Sequence, residues 1–84
     1  MPALKLDPRT RRAAIEIGRC IQAARIAANI SQEDLAEKIS MTRGNYARIE
    51  RGATNVTLDS LLRIAAGLGM KLTFDLSSKR KGRR

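Results

Sequence analysis

Between Thr42 and Arg51 the chain reads Thr-Arg-Gly-Asn-Tyr-Ala-Arg-Ile-Glu-Arg, with no acid before Glu50. The side chains that can do chemistry there are donors. Arg43 and Arg48 each offer a guanidinium fork, and Asn45 and Thr42 offer an amide and a hydroxyl. A guanidinium fork matches guanine O6 and N7 and supplies about 1–3 kcal/mol of discrimination against the wrong base. Gly44 has no side chain to read with, so it either lets the backbone come close to a partner or leaves reading to Arg43, Asn45 and Arg48. The neutral alternatives are plain: Arg48 as a solvated residue, Asn45 as a polar residue of a helix's first turn, Tyr46 as core packing.

Catalysis has no comparable constellation. The 84 residues contain no His and no Trp, one Cys, and Tyr46 and Phe74 as the only aromatics. No nucleophile is paired with a base, no Gly-rich loop follows a strand, and no carboxylates cluster for a metal, so neither enzyme activity nor a cofactor is expected. A zinc finger and a disulfide framework are excluded by the Cys and His counts. No apolar run nears the ~18 residues of a membrane span, and Met1 to Leu6 is too short for a signal peptide, so a cytoplasmic, nucleoid-associated bacterial protein is expected. Without stacking aromatics, RNA is the less favoured nucleic acid.

Seventeen basic and eight acidic residues give a net charge of +9, which points to a polyanionic partner. The charge is unevenly placed. Lys79 to Arg84 holds five basic residues; removing that stretch leaves twelve basic against eight acidic residues, a net +4. Residues 77–84 have no apolar side chain and read as a disordered basic tail, either a solubilising segment or a phosphate-binding arm whose affinity falls with salt.

The elements that must position the donors follow from caps and periodicity. Asp7-Pro8 starts a first helix running towards Asn29, with Gly18 tolerated inside it and Ile17, Ile21, Ala24 and Ala28 on one stripe. Ser31 caps a second, short helix, with Asp34 able to reach back as in a capping box and Leu35, Ala36 and Ile39 inward. Thr42 caps a third helix to about Arg51, with Tyr46 or Ala47, Ile49 and Glu50 facing in and Gly52 as terminator. Thr57 caps a fourth, Leu58 to about Leu68, whose core face is Leu58, Leu61, Leu62, Ile64, Ala65 and Leu68. Cys20, Met41 and Met70 read as core residues.

After Gly69 the period becomes two. Met70, Leu72, Phe74 and Leu76 alternate with polar residues, the pattern of a half-buried strand. A lone strand has an unpaired edge; its partner is the same strand of a second chain, or the segment packs as an extended tail. The predicted organisation is an N-terminal arm (1–6), a helical domain (7–69), a dimerisation strand (70–76) and the tail (77–84).

Two short helices joined by a tight turn suggest a helix-turn-helix. The residues Ser31-Gln32-Glu33-Asp34-Leu35-Ala36-Glu37-Lys38-Ile39, Thr42-Arg43, Arg48-Ile49-Glu50-Arg51-Gly52, Thr57-Leu58 and Leu61-Leu62-Arg63-Ile64-Ala65 resemble the Xre/Cro–repressor type. The resemblance implies an all-α, lambda-repressor-like bundle of four to five helices, here with a C-terminal β-strand, that binds double-stranded DNA as a transcriptional repressor. It implies that Gln32 binds a phosphate and helps orient a reading side chain. It places Thr42, Arg43, Gly44 and Arg48 towards DNA, where the acid-free start of the helix also puts Asn45, and Arg51 near the backbone, and makes Arg25 and Glu50 a partly buried salt bridge. Arg43 is the expected main base reader. Ser40 stands where the turn often has Gly, so either the turn takes an unusual φ or its geometry is not left-handed.

The strand and the chain length resemble the HipB antitoxins. That likeness implies a homodimer joined through Met70, Leu72, Phe74 and Leu76, reading an inverted repeat with recognition helices ~34 Å apart. It also implies autoregulation and a HipA-like kinase toxin as partner. The alternative is a stand-alone phage, plasmid or restriction-modification control regulator with no toxin.

Overall fold

A computed structural model describes residues 6–76. The basic tail and all but the last residue of the N-terminal arm lie outside the described residues. Four helices run in order: α1 (Pro8–Ala27), α2 (Gln32–Lys38), α3 (Arg43–Glu50) and α4 (Leu58–Gly67). Each begins on the cap its sequence announces. Asp7 accepts from the Arg9 amide, Ser31 from Asp34, Thr42 from Asn45 and Thr57 from Ser60. These bonds satisfy donors that a helix start leaves without partners. Only half of the expected capping box forms: Ser31 accepts at 3.0 Å, while the Asp34 side chain, one methylene shorter than Glu, makes no return bond.

The four helices also end alike. In each case the residue after the C-cap turns left-handed, at Asn29, Ser40, Gly52 and Gly69, with φ of 62°, 58°, 70° and 68°. The following amide reaches back to the helix: Ile30 to the Arg25 carbonyl, Met41 to Ala36, Ala53 to Arg48 and Met70 to Ala65. This is the Schellman terminator. It ends α1 at Ala27, short of the expected Asn29. At Gly52 two constraints meet, because an added Cβ would come within 2.5 Å of Ile15 Cα as well as face the positive φ. Ser40 adopts the unusual φ directly; a side chain there costs about 1–2 kcal/mol, since its Cβ crowds the next carbonyl.

The core is built from Leu35, Ala36, Ile39, Tyr46, Ile49 and Ile64, with Ile21, Ile30, Met41, Val56 and Leu68 packed around it. α3 lies against both α1 and α2, and α2 also meets α4. Each fully buried aliphatic side chain contributes about 1.5–3 kcal/mol. Gly18 is the contact point between α1 and α3. A Cβ there would sit 2.4 Å from the Glu50 carbonyl oxygen and 2.6 Å from that of Ile49. The residue is a requirement of packing and not merely tolerated in a helix.

Several expected core residues are outside. Cys20 is exposed, as is Ala28. Leu58, Leu62 and Met70 are about half exposed, because α4 turns only Ile64 fully inward. The predicted strand is also absent: residues 70–76 form none. A ladder needs a second strand, and among the described residues this chain offers none. Leu72 is half-buried, whereas Met70, Phe74 and Leu76 stay exposed. The alternation therefore marks one apolar side of an irregular segment.

Gly44 contrasts with Gly18. Nothing lies within 4 Å of the position its Cβ would take, and its φ is not left-handed. Gly44→Ala is expected to raise stability by up to about 1 kcal/mol, read as a higher urea midpoint, through helix propensity alone.

Candidate nucleic-acid interface

The interface grows outward from one buried carboxylate. Glu50 ends α3 with its side chain 2% exposed, facing an Arg25 side chain that is 12% exposed. Arg25 Nε donates to Glu50 Oε2 at 2.6 Å and Nη2 to Oε1 at 3.3 Å, while Nη1 donates to the Ile30 carbonyl at 2.8 Å. The Tyr46 hydroxyl, on the fully buried ring one turn back, also donates to Oε2. Gln32 Nε2 donates to Oε1 at 2.9 Å. Burial alone would push the Glu50 carboxyl up; the bonds from Arg25, Tyr46 and Gln32 outweigh it and hold it below its ordinary value. The Tyr46 hydroxyl is driven well above its ordinary value by burial and by donating to that carboxylate.

This network fixes more than a core. It ties α1 to α3 and extends to Gln32 at the start of α2, one of whose amide hydrogens is committed to Glu50. Gln32 in turn lines a shallow open depression with Thr42, Arg43, Gly44, Asn45, Ala47, Arg48 and Arg51. The seven residues singled out as DNA-facing thus share one surface, and its lining contains no acid. The nearby acids Glu33, Asp34 and Glu37 are exposed on α2 and do not line it. Thr42 caps α3 through its oxygen, which leaves its hydroxyl hydrogen available to donate.

A second polar groove runs along another side of α3. Thr42, Asn45 and Arg48 line it again, together with Thr54, Asn55, Thr57, Ser60 and Arg63. Thr54, Asn55 and Arg63 have no place in the sequence-based site. The signal for the first two was the polar loop between the Gly52 terminator and the Thr57 cap. Arg63 carried none, since its position depends on how α4 docks.

A third groove is apolar. Ala13, Ile17, Cys20, Ile21 and Ala24 of α1 line it with Leu61 and Ala65 of α4 and its C-cap Leu68, and residues 70–75 border it. No group of three or more His, Cys, Asp or Glu able to hold a metal lies among the described residues. None of the described helices is long and apolar enough to cross a membrane.

A helix-turn-helix family model, HTH_3, matches residues 21–74. The control protein C.MunI of a Mycoplasma species is 44% identical over 45 residues, which are 54% of this chain and 61% of that protein, so the match spans about three-fifths of the relative's length. Among solved structures, the restriction-modification controller protein C.AhdI from Aeromonas hydrophila superposes with a TM-score of 0.71 at 30% identity, covering 73% of this chain and 88% of that one. A point mutant of the restriction-modification controller protein C.Esp1396I gives a TM-score of 0.67 at 33% identity, covering 69% and 77%. A capped helix pair, an acid-free face of donors on the second helix and a family match over most of the bundle agree: the chain belongs to the Xre-type helix-turn-helix family and is a DNA-binding regulator.

Proposed function

We propose that the protein is a stand-alone control regulator of the restriction-modification type, acting on transcription by binding an operator without catalysis. The observation that carries the DNA-reading part is the convergence of Gln32, Thr42, Arg43, Gly44, Asn45, Arg48 and Arg51 on one acid-free surface. The N-terminal half of α3 enters the major groove, where Arg43 reads a base edge and Gln32 and Arg51 hold phosphates. The control-protein part is supported by the likeness to C.MunI, C.AhdI and C.Esp1396I, each a control or controller protein. That support favours the stand-alone reading over the antitoxin reading, which rested on the alternation at 70–76 and the chain length.

The operator-bound form is a homodimer. Leu58 and Leu62 of α4, with Met70, Phe74 and Leu76, are half exposed or more in one chain, and uncovered apolar side chains are what an interface between two copies would cover. The joint is made by side chains on α4 and the following segment, and two-fold pairing sets two α3 helices about one DNA turn apart.

The test uses the DNA upstream of the protein's own coding sequence, with a shuffled duplex of equal length as control. Retention of the upstream duplex at salt that releases the control, as a dimer by sedimentation, is the expected result. Equal affinity for both duplexes would overturn the operator reading. Co-purification of a stoichiometric kinase-like partner encoded next door would return the antitoxin reading to first place.

A further inference from the structure

Four helices end in the same left-handed turn, and one of those turns is held from outside. Asn29, Gly52 and Gly69 take that conformation with the residue types best suited to it, whereas Ser40 does not. Ser40 is the residue that links α2 to α3. From α4, Arg63 Nη1 donates to the Ile39 carbonyl at 2.9 Å and lies 3.4 Å from the Ser40 carbonyl, while Nε donates to Asp59 at 3.2 Å. Ile39 is the C-cap of α2, so these carbonyls belong to a helix end, where partners are scarce and a cation suits the helix dipole. α4 is already close at this point: a Cβ on Gly67 would come within 2.6 Å of Ile39 Cγ2.

Only Met41 separates Ser40 from Thr42, the cap of α3. The backbone dihedrals of Ser40 and Met41 therefore set the direction in which α3 leaves α2. We propose that Arg63 is a positioning residue for the DNA-reading helix: by gripping the Ile39 and Ser40 carbonyls it locks the strained turn and so aims α3. The proposal rests on α3 being the reading element. Its rival is a direct phosphate contact, because the Arg63 side chain is 43% exposed and borders the groove beside Asn45 and Arg48.

The two roles separate by salt dependence and by sequence preference. A duplex selected by the wild-type protein from a random-sequence pool, and an unrelated duplex of equal length, serve as probes. Arg63→Ala is expected to lose about tenfold on the selected duplex, the cost of one poorly read base pair. It should stay within about twofold on the unrelated one, with the slope of affinity against salt unchanged. The double variant Arg63→Ala with Ser40→Gly removes the strain and is expected to recover the thermal midpoint while the preference stays low, since the turn is no longer locked; it also carries the test if the single variant does not fold. Equal loss on both duplexes with the salt slope reduced by about one overturns the proposal in favour of a phosphate contact. An unchanged preference in Arg63→Ala, or one restored along with the midpoint, overturns it in favour of stability alone. Failure of Arg43→Ala to alter the preference, with the wild type still selective, would instead place the fault in the assignment of α3.

Discussion

Glu50→Ala is expected to destabilise the domain by about 3–5 kcal/mol, the cost of stranding the partner of a buried ion pair. The Glu50 carboxylate takes bonds from Arg25, Tyr46 and Gln32, and its side chain is 2% exposed. Truncation leaves the Arg25 charge and the Tyr46 hydroxyl facing a void, and water has little access to either. A domain of this size has a total stability of about 5–15 kcal/mol, so the loss removes a large share of it, and unfolds the variant outright only if the wild type lies near the lower end. Urea denaturation followed by circular dichroism reads the loss directly; a change below about 1 kcal/mol would show that the network adds little over its desolvation cost. The same carboxylate fixes the acid limb. Its folded-state pKa lies below the ordinary value of 4.5, so its contribution is complete above that pH and disappears as pH falls through the folded value. Wild-type stability should be level from neutrality to about 4.5 and then decline, and Glu50→Gln should flatten that decline.

Gly18→Ala is the second large effect, with a net loss of up to about 2 kcal/mol. The added Cβ meets two backbone carbonyls, at 2.4 and 2.6 Å, and backbone cannot step aside as a flexible side chain does. The gain in helix propensity, up to about 1 kcal/mol, is outweighed by overpacking, typically 1–3 kcal/mol and here imposed on the seam between α1 and α3. The same substitution at Gly44 raises stability, so the two variants measured side by side separate propensity from packing. A neutral Gly18→Ala would mean that α1 shifts away from α3 at little cost.

These residues also show what was legible in the sequence. The four caps were, because Asp7, Ser31, Thr42 and Thr57 act on amides two or three residues away. Gly52 was legible as a terminator for the same local reason. The pairing of Arg25 with Glu50 entered through the family resemblance; nothing in their spacing of 25 residues announces it. Gly18 and Arg63 were not legible, since the tightness at one and the reach of the other depend on where α3 and α4 dock. The segment 70–76 was legible only as an alternation, because a period of two reports a half-buried side and says nothing about a hydrogen-bonded neighbour. The reading face lay between these cases. Its residues were named from the motif, yet their convergence on one surface, and the second groove with Asn55 and Arg63, required the bundle.

The claim that the start of α3 reads DNA is tested most directly at Arg43. Wild type and Arg43→Ala are titrated against the selected duplex and a set of duplexes, each with one base pair changed. The wild type should discriminate at the position Arg43 reads by about 1–3 kcal/mol, roughly 5- to 150-fold, and Arg43→Ala should lose that discrimination there while keeping it elsewhere. Uniform weakening across every duplex, with discrimination intact at all positions, would contradict the account and make Arg43 a phosphate contact.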